Sequence, residues 1–404
     1  MYKRKLLCWK VIILIEAWLI EIAKGIGKFF LNPLLYWTAF LLFFAGYRRV
    51  KKERADFGFK IFDIFTEWKG TWLISLITGI ILSLIVVGFG IVFSYETIFL
   101  LCIIVILLSL TFKFTMLSAS YTIGITYLVL LFLPFLLENQ ASVAPDLFSH
   151  INFTGLSILL GLFLMIEAIL MRTIKRNDSF PSLTMGSRGL SVGQHRIKKL
   201  SIIPFFTLVP AGMITPFVPY WPYLSIGETS YSLVLIPFIL GVDYVIKGNL
   251  PQVVARKLAN ATTFLAILVL LVAIGSMYLS WLSLVAVVIA ILGREYIRYR
   301  HKMHDQQGLA YFHPLNHGLK VLGVIPGSPA DRLDILVGET ISKVNGIKVN
   351  SVDGLYEALQ ESGSFFKIEI LDDMNEVRFL QSAFYEDDHH ELGLVFTAEP
   401  YNKK

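Results

Sequence analysis

Charge is scarce in this chain. Asp, Glu, Lys and Arg make up 16% of 404 residues, against about 25% in a soluble domain. Cysteine is nearly missing: Cys8 and Cys102 both lie in apolar stretches, and two such residues build neither a disulfide framework nor a zinc site. Other absences remove enzyme classes. Without HExxH an intramembrane zinc protease has no ligand pair, and without GxxxxGK[ST] or GxGxxG there is no phosphate-cradling loop. His389-His390-Glu391 has ligand residue types without the spacing. Gly189-Leu190-Ser191-Val192-Gly193 spells G-x-S-x-G, but it reads as a polar, basic loop with no strand before it, and a nucleophile elbow needs one. No catalytic residue, metal or cofactor is expected. The basic start Met1–Lys5 meets no small-residue cleavage site, so no cleaved signal peptide is expected.

What is abundant is apolar surface. Hydrophobic residues are 55% of the chain and mean hydropathy is +0.65, which excludes a disordered or wholly soluble chain. Candidate membrane spans cover 29–47, 71–93, 98–112, 114–137, 153–171, 200–221, 229–246 and 261–293. The last is too long for one crossing of a ~30 Å core and is expected to turn back near Tyr278–Ser280. Residues 1–28 read as an amphipathic segment on the membrane surface, or as one more span over 6–23, so eight to ten crossings are expected. Glu167 and Asp243 are acids inside spans, read as helix-end charges or as an ion site. Four prolines in 200–221 suggest a broken helix of the kind found in transporters.

Charge is split along the chain. Residues 1–304 carry +14, and residues 305–404 carry −8. The boundary falls near 303–306, giving a multi-span body over 29–302 and a separate domain over 303–404. Loops 94–97, 138–152 and 222–228 hold no Lys or Arg, so positive-inside logic places them outside and the C-terminal domain in the cytoplasm. Within 172–199, Arg172, Lys175, Arg176, Arg188, Arg196, Lys198 and Lys199 face a single acid, Asp178. They are candidates for contact with anionic membrane lipids. The acidic tail argues against nucleic acid as a partner.

The C-terminal region reads as strand 317–325, turn Pro326–Pro329, helix 330–336, strand 339–344, tight turn Asn345-Gly346, strand 347–349, helix 351–360 and strands 365–371, 376–384 and 391–396. This order, with Gly318-Leu319, Pro326-Gly-Ser-Pro-Ala330, Gly338-Glu-Thr-Ile341 and Val344-Asn-Gly346, resembles a PDZ domain of the bacterial type. Asp334 stands where that pattern usually has Gly, and Val337 where it has Pro. The fold class expected is thus an α-helical polytopic membrane protein with a C-terminal PDZ-like α+β domain. The resemblance implies a peptide end added as a strand, its carboxylate held by a loop of backbone N–H groups. Two segments are candidates for that loop, Gly308-Leu309-Ala310 and Leu392-Gly393-Leu394. Leu355 is the candidate groove wall, while Leu359 is assigned to the core.

Over nearly its whole length the chain resembles the MinJ family of division-site determinants of Gram-positive rods. The resemblance rests on Phe29–Trp37, Gly46–Arg54, Ile61–Phe65 and the terminal PDZ-like domain. It implies a membrane adaptor at septum and poles that links a DivIVA-like scaffold to a MinD-like ATPase, places the MinC–MinD division inhibitor, and meets other division proteins. Two alternatives remain at this point: a transporter or channel with a regulatory PDZ module, and a PDZ regulator of membrane proteolysis.

Overall fold

A computed structural model describes residues 2–137, 151–186, 189, 191–225, 227, 229–315, 317–361, 365–383 and 392–397; of 2–13 and 135–137 only the helical backbone is described. The body opens with α1 (Tyr2–Leu31) and α2 (Pro33–Phe57). They are separated at Asn32, whose side chain caps Leu34 N at 3.0 Å and precedes a proline at the first helical position. The pair is bent by 44° there. Then follow α3 (Trp72–Phe89), α4 (Tyr95–Ser109), α5 (Ala119–Leu137) and α6 (Phe153–Arg172). Ser94 and Asn152 cap α4 and α6 through Thr97 N and Gly155 N.

Among the described residues three helices are long and apolar enough to cross a membrane, α3, α6 and α7 (Pro251–Gly275), or four if the bent α1–α2 pair makes one span. α4 is an apolar helix of only 15 residues. The hairpin expected near 278–280 is present: α7 ends at Gly275, and α8 (Leu282–Gln307) returns along it and runs through the boundary expected near 303.

The largest departure from expectation concerns 200–221 and 229–246. Neither is a helix. They lie in β2 (Ser191–Ile214) and β3 (Tyr231–Ile246), which with β1 (Phe180–Met185) form an antiparallel sheet of order β1-β2-β3. A sheet inside an apolar body must satisfy its edges. On β2 the even-numbered residues from 200 to 210 turn their peptide groups away from β3. Leu200 N donates to Glu67 O at 3.1 Å, Phe206 N to Ser83 Oγ at 2.8 Å, and Leu208 O accepts from Phe93 N at 2.9 Å. Pro204 and Pro210 fall in the same set and have no N–H to satisfy. Directly opposite Pro204 sits Pro237 of β3. The prolines read as helix breakers are therefore edge guards, and the transporter-like broken helix is withdrawn.

Small residues let the helices come close enough to cover these edges. A Cβ on Gly79 of α3 would stand 2.2 Å from Pro204 O, and one on Gly25 of α1 would stand 3.0 Å from Leu233 O. Glu21 of α1, fully buried, accepts from Lys24 Nζ at 3.0 Å, from the Ser232 hydroxyl and from the Leu233 backbone.

The two acids expected inside spans are ion-paired. Glu167 and Arg294 of α8 are both buried, 2.5 Å apart, and the Ser118 hydroxyl donates to Glu167 at 2.7 Å. Asp243 is held by two bonds of 2.6 Å from Arg196 across the β2–β3 ladder. Asp243 is thus no helix-end charge, because β3 is a strand.

Candidate functional site: the docked C-terminal domain

The C-terminal domain is built from β4 (Leu319–Val324), α9 (Pro329–Arg332), β5 (Thr340–Val344), β6 (Ile347–Lys348), α10 (Val352–Glu361), β7 (Phe365–Leu371), β8 (Val377–Ala383) and β9 (Leu394–Phe396). The sheet order is β8-β7-β5-β4-β9, with β6 on β5. Its turns follow from local chemistry. Ser328 caps α9 and Pro329 fills the first helical position. Asn345 and Gly346 take φ of 49° and 86°, as a two-residue hairpin with both central residues left-handed requires. Asp334 has φ 51°, so the position that usually carries Gly does demand the left-handed region. Phe366, Ile368 and Ile370, alternate residues of β7, enter the core.

β9 closes the sheet. Leu394 and Phe396 pack into the domain core, and Val395 faces the body. Its far edge is unpaired among the described residues. At its head Gly393 takes φ 75°, and the carbonyls of Gly393 and Leu392 accept from Ile325 N and Ala330 N at 2.9 Å each. Of the two candidate loops, Leu392-Gly393-Leu394 thus opens an edge strand, and Leu392 and Leu394 share one core with α10. Gly308-Leu309-Ala310 does not pair with any described strand. It is the linker after α8, with Gly308 against Gly248 and Leu309 89% exposed. The groove-wall assignment of Leu355 also changes. Leu355 and Leu359 are both fully buried in the core, while Val352 and Tyr356 are the half-buried side chains of α10.

The domain does not hang free. Its β4–β9 face lies on the β1–β2 hairpin through Leu322, Val395 and Val337, packed with Phe62, Phe180 and Phe312. Gly193 N donates to Phe312 O at 2.8 Å, and a Cβ on Gly193 would strike Leu322 at 2.3 Å. Ser191, Val192 and Gly193 of the G-x-S-x-G pattern are therefore the start of β2, and its second glycine permits this approach; the Ser191 hydroxyl has no described partner. Arg176 pairs with Asp373 in the β7–β8 turn and also donates to Val337 O. Asn177 clasps the same loop, its Nδ2 on Ile335 O and its Oδ1 taking Val337 N, both at 3.0 Å. Beneath, burial pushes the His195 imidazole down to about 3. Its Nδ1 meets Ser179 Oγ at 2.8 Å, its Nε2 has no described partner, and its ring lies 4.5 Å from Phe312.

Residues of the N-terminal half, in Gly46–Arg54 and Ile61–Phe65, build the same platform. Gly46 lets Ile64 O approach to within 2.0 Å of where a Cβ would be. Arg49 binds Glu53 at 2.5 Å and Glu67 at 2.9 Å, and Glu53 accepts Ile61 N and Phe62 N. The Arg49 guanidinium covers the Phe180 ring at 4.4 Å.

These contacts redistribute the basic residues of 172–199. Arg176 and Arg196 are ion-paired, and Lys198 and Lys199 are buried, Lys198 at 4.2 Å over Phe114. Their assignment to lipid contact is corrected: burial takes Lys198 and Lys199 from the surface, and acids neutralise Arg176, half-buried, and Arg196, still exposed. Lys175 is exposed, and Arg172 is exposed with a bond of 2.8 Å to Asn260. Arg188 lies outside the described residues. Among the described residues no group of three or more His, Cys, Asp or Glu could hold a metal.

Within the domain, residues 320–371 match the PDZ domain family. The whole chain is similar to the cell division topological determinant MinJ of Bacillus subtilis (strain 168), 32% identical over 383 residues, which is 95% of this chain and 96% of that protein. It is also similar to the probable cell division topological determinant MinJ of Lacticaseibacillus paracasei, 24% identical over 272 residues, 65% of this chain and 71% of that one. With a bent helical body, a terminal PDZ domain and identity at that level from end to end, the chain belongs to the MinJ family of cell division topological determinants.

Proposed function

We propose that the protein is a membrane adaptor for division-site selection, not an enzyme, which links a DivIVA-like scaffold to a MinD-like ATPase and so positions the MinC–MinD inhibitor. The carrying observation is a PDZ domain docked on the body with the far edge of β9 unpaired among the described residues. An edge strand beside an apolar core recruits an extended segment by main-chain pairing. In this reading the domain is cytoplasmic and the protein concentrates at septum and poles.

A fluorescent fusion tests localisation, and a crosslinked pull-down tests partners. Gly393→Val is the informative variant, because a side chain there meets Ser328 Cβ at 2.3 Å and distorts the head of β9. The expected result is loss of septal and polar enrichment, with the scaffold or the ATPase lost from the pull-down. A uniformly distributed wild-type fusion, or a Gly393→Val pull-down unchanged from wild type, contradicts the proposal. Labelling of Ser382→Cys by an impermeant reagent in intact cells would contradict the sidedness.

A further inference from the structure

We propose that the cleft between the start of α7 and the C-terminal half of α8 binds an anionic phospholipid. Lys257 and Arg300 hold the headgroup phosphate, and the acyl chains lie along the outer faces of the two helices. The cleft encloses about 940 Å³, the size of a site for a substantial small molecule. Its floor is apolar, formed by Val254, Leu258 and Ile297. Its rim carries two cations, Lys257 and Arg300, beside the imidazoles of His301 and His304. The one acid in the lining, Asp305, is turned to the backbone, accepting Lys247 N and Gly248 N at 3.0 Å each. Neither Lys257 nor Arg300 has an ion-pair partner among the described residues, and both are exposed.

Position selects a lipid over a soluble anion. Residues 261–293 carry no charge, and α7 is one of the helices apolar enough to cross a membrane. The cleft is lined by residues at the edge of that charge-free stretch and just beyond it, 248–261 and 296–308, the level where headgroups meet an apolar hairpin. Helical spacing then continues the cleft into the hydrocarbon. Lys257, Ala261, Phe264, Leu268 and Leu271 share one face of α7, with Phe264 73% and Leu271 65% exposed. Leu292, Tyr296, Arg300 and Met303 share one face of α8, with Leu292 63% exposed. Tyr296 and Tyr299 stand at the mouth, where interfacial aromatics belong. A cationic pocket at the end of a helix pair is the chemistry that holds anionic headgroups.

The test uses the full chain in mild detergent, titrated with phosphatidylglycerol or phosphatidylcholine and read by native mass spectrometry. Phosphatidylglycerol should bind in preference. Lys257→Gln with Arg300→Gln should weaken it about thirtyfold, roughly fivefold per charge, with unchanged thermal unfolding. Lys51→Gln with Lys52→Gln, exposed cations of α2, should leave it unchanged. A Tyr299→Trp reporter, read as the difference from the wild-type chain with its seven tryptophans, gives a second reading, quenched more by brominated phosphatidylglycerol than by brominated phosphatidylcholine. Equal binding of the two lipids, wild-type affinity in the cleft variant, or full displacement by millimolar inorganic phosphate would each overturn the proposal, the last by showing a free-anion site.

Discussion

Arg176 and Asp373, 197 residues apart in sequence, form a two-pronged ion pair in which Arg176 Nη1 lies 2.7 Å from Asp373 Oδ2 while Nη2 meets Oδ1. One residue belongs to the short turn before β1 and the other to the β7–β8 turn, so the pair ties the PDZ domain to the body. Partial exposure limits its worth to about 1 kcal/mol. Arg176→Ala should therefore raise hydrogen exchange in the linker 308–315 several-fold while the domain core stays protected. The swap Arg176→Asp with Asp373→Arg should restore part of that protection.

Acid should loosen the same contact. The His195 imidazole is depressed by burial to about 3, from an ordinary value near 6.5. The folded state thus binds fewer protons than the unfolded one between those limits, and stability is lost as pH falls through that window. The loss is at most about 1.4 kcal/mol per pH unit. Unfolding of the full chain followed from pH 7 to 5 should show this slope, and His195→Asn should flatten it.

Leu355 discriminates core from groove. A fully buried leucine in a cluster with Leu359 and Phe366 should cost about 2–5 kcal/mol when cut to alanine. Leu355→Lys should unfold the domain, because the ammonium has no partner inside. Proteolytic release of the C-terminal region in the variant, and not in wild type, is the expected readout.

Removing one partner of the Glu167–Arg294 pair leaves a buried charge uncompensated. Glu167→Gln should destabilise the body by about 3–5 kcal/mol. Glu167→Gln with Arg294→Met should recover much of that loss, as measured by thermal unfolding in detergent.

Asp334 sits at φ 51°, where glycine carries no side-chain strain. Asp334→Gly should raise domain stability by about 0.5–1 kcal/mol in thermal unfolding, because the relieved strain exceeds the added chain entropy. The Arg378 Nη2 bond to Asp334 O at 3.0 Å uses backbone and should survive.

The C-terminal domain was legible because its turns are local: Pro326-Gly327 and Asn345-Gly346 demand particular dihedral angles wherever they occur. The β2–β3 hairpin was misread as two helices because uncharged apolar runs of that length satisfy a hydropathy window in either conformation. The corrective signal was present in Ile202, Ile203, Phe205, Phe206, Thr207 and Val209, interleaved with Pro204 and Pro210, a composition suited to a strand with guarded edges and hostile to a helix. The docking was not legible. Arg176 and Arg196 look like any basic run until the fold supplies Asp373 and Asp243, and no spacing along the chain announces partners that distant.

β2 touches both ends of the molecule. Its first residues meet the PDZ linker at Phe312, and its ladder with β3 runs unbroken in register from His195↔Ile246 to Pro210↔Tyr231, near the Val92 contact at the opposite end. At ~3.3 Å per residue that stretch is about 50 Å long, more than the ~30 Å thickness of a hydrocarbon core. A rod of this kind neither bends nor stretches easily, because its hydrogen bonds lie crosswise to the load and share it in parallel. A tug on the PDZ domain by a bound partner is thereby delivered to the far loops as displacement, with no helix joint in between to absorb it.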